Sequence, residues 1–196
     1  MVMRIGIDID GVLTDIETFL LDYGSKYCVE NNIPLNITKE INYDESKTFG
    51  WTDEQAVEFW NKYIIHYFTD YPARDLAKEV ITKLKEEGNE IYIVTARNEY
   101  GVPREYKDET KKLTEQWLKK NEIPYDKIIF SNGNKLPYCK GNYIEVMIED
   151  NPTNIVDIAV GIPVICYNNK YNAKVEGENI TRAYSWYDVY EKIKNM

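Results

Sequence analysis

Residues 5–15 read Ile5-Gly6-Ile7-Asp8-Ile9-Asp10-Gly11-Val12-Leu13-Thr14-Asp15. A short apolar strand runs into two aspartates one residue apart, then into a glycine. Residues two apart in a strand point to the same side. Asp8 and Asp10 are therefore expected to face one point as the chain leaves strand geometry. Two carboxylates at a strand's carboxyl end repel each other unless a cation lies between them. The pairing suits an oxygen-ligated divalent metal and chemistry on a phosphate. Ile5, Ile7 and Ile9 alternate with residues that are not strongly polar until the acids, so the strand from Arg4 to Asp10 reads as a central one covered on both faces.

Working outward, Ile16–Asn31 carries Phe19, Leu20, Tyr23 and Tyr27 at helical spacing, with Asp15 as amino cap. The polar stretch from Pro34 to Gly50 reads as loop. Thr52 and Gln55 form a capping box for an aromatic helix to about Phe68 (Phe59, Trp60, Tyr63, Tyr67), which Tyr71-Pro72 ends. A helix is expected over Ala73–Glu87, closed by Gly88. Further strands are expected at Glu90–Thr95, Asp126–Ser131, Val146–Asp150 and Ile162–Tyr167. Between and after them stand a loop at Glu99–Tyr106 and helices at Lys107–Asn121, around Lys135 and Lys140, from Pro152 to about Val160, and at Ser185–Asn195. Strands and helices alternate from residue 73 onward, the pattern of a doubly wound parallel α/β sheet. The stretch after the first strand is too long for a simple crossover. Residues 1–15 and 73–196 are thus expected to form the core, and 16–72 a small helical cap.

The 196 residues suffice for one core with a modest insert. A formal net charge of −9 argues against binding nucleic acid polymers, yet a bound metal can reverse the local field for a small anion. Cys28, Cys139 and Cys166 show no CxxC spacing and read as free, buried thiols. His66, the only histidine, is expected to be structural, and a multi-histidine metal site is excluded. No apolar run approaches a membrane span. The amino terminus carries no leader pattern, so a cytoplasmic protein is expected.

In open α/β sheets ligands bind beyond the carboxyl ends of the strands. Here those ends carry Asp8 and Asp10, then Thr95-Ala96-Arg97, then Lys135, then Glu149-Asp150. This order resembles the motifs of the haloacid dehalogenase superfamily of phosphotransferases. Within it, Asp10-Gly11-Val12-Leu13-Thr14-Asp15, Thr95-Ala96-Arg97 and Glu149-Asp150-Asn151-Pro152 look closest to the 5′(3′)-deoxyribonucleotidase-like branch.

The resemblance implies a Mg²⁺-dependent phosphomonoester hydrolase that works through an aspartyl-phosphate, acting on a nucleoside monophosphate. Asp8 is the implied nucleophile and Asp10 the general acid and base. Asp8, Asp10 (through its carbonyl) and Asp150 are the implied Mg²⁺ ligands, with Glu149 in or beside that set. Thr95, Ala96 and Lys135 would hold the phosphate. Lys140 is the alternative lysine; Lys135 is preferred because it follows the third strand end directly. Arg97 reads either as a phosphate or substrate ligand or as an ion pair. Phe49 and Trp51, in an expected loop, are the candidates to stack a base, whereas Trp60, Tyr63 and Tyr67 read as cap core. The rival readings are a sugar-phosphate or metabolite phosphatase, a receiver-like signalling domain, and a phosphate-binding protein without turnover.

Overall fold

A computed structural model describes residues 2–97, 106 and 109–196 of the chain. Six strands form one sheet: β1 (Arg4–Ile7), β2 (Glu90–Thr95), β3 (Lys127–Phe130), β4 (Val146–Glu149), β5 (Val164–Tyr167) and β6 (Ile180–Ala183). Their order is β3-β2-β1-β4-β5-β6, and every neighbouring pair is parallel. Ile5 stands beside Ile91 and Val146, and Ile7 beside Ile93 and Ile148. These residues face α4 (Ala77–Glu86), α5 (Thr110–Lys120) and α8 (Trp186–Lys194) through Val80, Leu84, Trp117, Trp186 and Val189. The alternate residues Val94, Met147, Val164 and Cys166 face α6 (Leu136–Gly141) and α7 (Pro152–Ala159) through Cys139, Ile155 and Ile158. Burial on both faces explains why the inner strands read as nearly unbroken apolar runs.

A third core is separate and mostly aromatic. It joins α1 (Ile16–Glu30), α2 (Glu45–Phe49) and α3 (Asp53–Thr69) through Phe19, Tyr27, Phe49, Trp51, Phe59, Tyr63 and Tyr67. Asp15 caps α1 by accepting from Thr18 N, and the Thr52–Gln55 box opens α3. Phe49 and Trp51, expected at the substrate, lie inside this core instead. Phe49 is 2% exposed and stacks on Trp51 at 4.5 Å between ring centroids. It packs over Gly24, where any Cβ would come within 2.5 Å of the Phe49 ring. The Phe49→Ala variant is therefore expected to lose about 3–5 kcal/mol of stability, read by denaturant unfolding, with KM for substrate unchanged below the transition. A raised KM with intact stability would return Phe49 to the substrate.

The expected loop over Pro34–Gly50 contains α2. Asp44 caps it by accepting from Ser46 N, and Gly50 ends it at φ 68°, a conformation that favours glycine. The first four residues of the helix expected from Ala73 form a bridge and a turn instead. Thr14 bridges Ala73, Arg74 N donates to Leu13 O at 2.6 Å, and Leu76 at φ 66° turns the chain into α4. The strand β6 was not expected, because an edge strand with exposed polar residues carries little apolar signal. The expected loop at Glu99–Tyr106 lies outside the described residues apart from Tyr106, as does the start of the helix expected from Lys107. The three cysteines are buried and unpaired. Among the described residues, no helix is long and apolar enough to cross a membrane.

Candidate active site

The helices pass to opposite faces of the sheet at the β1–β4 junction, the position where such sheets open a crevice. The β1–β4 ladder extends one residue past β1, with Asp8 N donating to Ile148 O at 3.0 Å, and this brings the first acid beside the end of β4. The next five residues, Ile9–Leu13, form a tight turn closed by Thr14 N to Ile9 O at 2.9 Å. Within it Gly11 takes φ +89°, and a Cβ there would lie 2.0 Å from Asp150 Oδ2. Only glycine lets the turn pass so close to the carboxylate.

In the turn the two acids take different cationic partners. Asp8 faces Lys135, whose Nζ donates to Asp8 Oδ1 and to Glu149 Oε2, both at 2.7 Å. Asp10 is held by Arg97, which grips it with Nε and Nη2 at 2.6–3.1 Å. Arg97 is buried among aromatic rings, its guanidinium carbon 4.3 Å from the Phe68 centroid and 5.3 Å from those of Tyr67 and Trp117. Arg97 thus orients Asp10 through Nε and Nη2, while its Nη1 is buried with no hydrogen-bond partner among the described residues.

Asp8, Glu149 and Asp150 are buried and offer carboxylate oxygens that all lie within 4.8 Å of one another. Their roles separate by hydrogen bonding. Glu149 accepts from Asp150 N and Asn151 N on Oε1 and from Lys135 on Oε2, so it anchors the lysine. Asp150 accepts from the Tyr171 hydroxyl on Oδ2, while its Oδ1 is buried with no partner among the described residues. Burial, then Glu149, then Asp8 push the Asp150 carboxyl well above the ordinary range. Asp8 is pushed up to about 8, chiefly by burial and next by Glu149, against the pull of Lys135. One ammonium faces three buried carboxylates, and one oxygen lacks a donor. A hard divalent cation fits that deficit, since oxygen ligands of this kind suit Mg²⁺.

Thr95 is buried at the end of β2, and its hydroxyl accepts from Arg97 N at 3.1 Å, which leaves its own proton to donate. Ala96 follows it into the same strand end. Lys140 stands exposed on α6 with its stem over Gly161, so Lys135 is the lysine brought to the acids. His66 accepts or donates at Tyr23 OH, 2.7 Å away in the aromatic layer. Sequence reasoning missed Tyr171 and Tyr43, whose rings meet edge to face at 5.4 Å. Among 17 tyrosines, no spacing singles them out.

The sheet, its strand order and the acids at the ends of β1 and β4 define a phosphatase of the haloacid dehalogenase type. Among the solved structures that share the fold are two hydrolase-like proteins. One is a haloacid dehalogenase-like hydrolase from Streptococcus pneumoniae (TM-score 0.64, 14% identity, 98% of each chain covered). The other is a predicted phosphatase from Clostridium acetobutylicum (TM-score 0.65, 15% identity, all of each chain covered). The chain belongs to the family described as 5′ nucleotidase, deoxy (pyrimidine), cytosolic type C, whose pattern it matches over residues 1–196. It is 33% identical over 190 residues to a nucleotidase of Clostridium acetobutylicum, with 96% of this chain and 92% of that protein covered.

Proposed function

We propose that this phosphatase is a cytoplasmic, Mg²⁺-dependent 5′-nucleotidase that hydrolyses (deoxy)nucleoside monophosphates through an aspartyl-phosphate on Asp8. One observation carries the mechanism: Asp8, Asp150 and Lys135 converge at the β1–β4 crevice, with Asp150 Oδ1 buried and unpartnered among the described residues. The family match supports the substrate class.

Asp8, Asp150 and the carbonyl of Asp10 are the oxygens that would hold Mg²⁺. When bound, the ion offsets the repulsion between carboxylates and phosphate and polarises a phosphoryl oxygen. A carboxylate oxygen of Asp8 attacks phosphorus and forms the acyl-phosphate bond as the ester P–O bond breaks. Asp10, held by Arg97, protonates the leaving alkoxide, then takes a proton from the water that attacks phosphorus and releases Asp8. Lys135 and the Thr95 hydroxyl, with the Ala96 N–H, bind phosphoryl oxygens and hold the group in line. Lys135 is fixed between Asp8 and Glu149, so its charge is placed before substrate arrives. Residues 16–72 act as the cap on a core of 1–15 and 73–196, and closure over the crevice excludes water.

The test is a metal-dependent screen over nucleoside 5′- and 3′-monophosphates, their deoxy forms and sugar phosphates. Highest kcat/KM on a deoxynucleoside monophosphate, abolished by EDTA and restored by Mg²⁺, is the expected result. Highest kcat/KM on a sugar phosphate would replace the nucleotide reading while keeping the chemistry.

A further inference from the structure

The turn after β5, Lys170–Asn172, sits directly against the end of β4. Asn172 is fully buried and donates from Nδ2 to the Asp150 carbonyl at 2.8 Å and to the Tyr167 carbonyl at 2.9 Å. Arg182 on β6 holds the Asn172 side chain from the other side, with Nη1 to Oδ1 at 2.9 Å. The turn is thus bolted to both β4 and β5, and it projects the Tyr171 hydroxyl onto Asp150 Oδ2. Gly11 leaves the space this needs, since a Cβ at that position would lie 2.6 Å from the Tyr171 hydroxyl. Tyr43, from the segment before α2, lays its ring edge to face on Tyr171. Tyr43 is 46% exposed, and its hydroxyl meets the Asn151 side chain beside Asp150.

A tyrosine bonded to a buried acid is often only structural. Here the two carboxylate oxygens are treated differently. Tyr171 satisfies Oδ2, and Oδ1 is left buried without a donor among the described residues. A purely structural arrangement would leave that oxygen as an uncompensated cost. We propose that Tyr171 is a positioning residue for Asp150. Its hydroxyl fixes the carboxylate plane and leaves Oδ1 as the single oxygen presented to the cation, while Tyr43 holds the phenol in that pose. This rests on the metal assignment above. Hydrogen-bonded partners of metal-binding carboxylates tune affinity in this way, and losing one weakens binding by about 10–100-fold.

The experiment titrates Mg²⁺ into substrate-free protein by isothermal calorimetry, for the native chain and the variants Tyr171→Phe, Tyr43→Ala and Asp150→Asn. Tyr171→Phe keeps the ring and its packing and removes only the donor. It is expected to raise the Mg²⁺ Kd about 10–100-fold, with the thermal midpoint of the EDTA-treated protein within a few degrees of native. At saturating Mg²⁺ its turnover of p-nitrophenyl phosphate should return toward the native value. Tyr43→Ala should raise Kd by a smaller factor. A Tyr171→Phe Kd within twofold of native, alongside an Asp150→Asn variant that no longer binds, overturns the role of Tyr171 and leaves the metal site standing. An Asp150→Asn variant that binds Mg²⁺ as the native chain does removes the metal assignment itself, and the role of Tyr171 with it.

Discussion

Asp8→Asn is expected to lower kcat for p-nitrophenyl phosphate by about 10⁴-fold or more, the scale on which removal of a covalent nucleophile acts. The amide preserves the shape of the side chain but has no anionic oxygen with which to attack phosphorus. The substitution also removes one of three clustered carboxylates, two of which share a single ammonium. Asp8 is pushed up to about 8, first by its burial and then by Glu149, so its charged form is held at a cost in the metal-free protein. Losing that charge should leave the metal-free fold no less stable near pH 8 than the native one. A dead but well-folded variant is therefore the expected outcome, read by steady-state kinetics beside a thermal melt in EDTA. Mg²⁺-dependent turnover at the native rate in Asp8→Asn would remove Asp8 from the mechanism. Loss of activity accompanied by unfolding would leave a structural explanation and call for the Asp8→Glu variant, which keeps the charge but displaces it by a methylene.

The parts of this site that could be read from the sequence are those fixed by strand ends. A carboxylate after an apolar strand has one place to go in a parallel sheet, so Asp8, Glu149 and Asp150 could be brought together from the chain alone, and the structure does bring them together. Lys135 was separable from Lys140 because it lies nearer the end of β3. Asp10 lies in a turn where Gly11 at φ +89° reorients the backbone, and it takes Arg97 as its partner while Asp8 takes Lys135. Phe49 and Trp51 were misplaced. A polar stretch hid a five-residue helix whose buried side points at α1. Tyr171 and Asn172 reach the site from a turn after β5, and nothing in their local sequence records that β5 lies next to β4. Contacts made across strand order, instead of along the chain, are what the sequence leaves unread.

Lys135→Met is expected to be the most destabilising single change in the site. The native ammonium is 2% exposed, and it is held protonated by Asp8 and Glu149 even though burial alone would favour its neutral form. Methionine fills a similar volume without the charge, so the carboxylates of Asp8 and Glu149 lose their only shared cation. Removing one partner of a buried ion pair costs about 3–5 kcal/mol, which for a chain of this size lowers the melting point by about 6–20 °C. The sign of the pH dependence follows from the protons. Without Lys135 the Asp8 carboxyl is pushed further above its ordinary value, so the folded state binds a proton that the unfolded state has released. Stability then falls as pH rises from the ordinary carboxylate range through about 8, and the penalty should be largest at pH 8 and smaller near pH 5. Lys140→Met is the control: its lysine is exposed and away from the acids, so its stability should stay within about 0.5 kcal/mol of native. Melts of the three proteins in EDTA at pH 5.5 and pH 8 decide the matter. A Lys135→Met midpoint equal to native at pH 8 would mean that the lysine is not what holds these side chains in the fold.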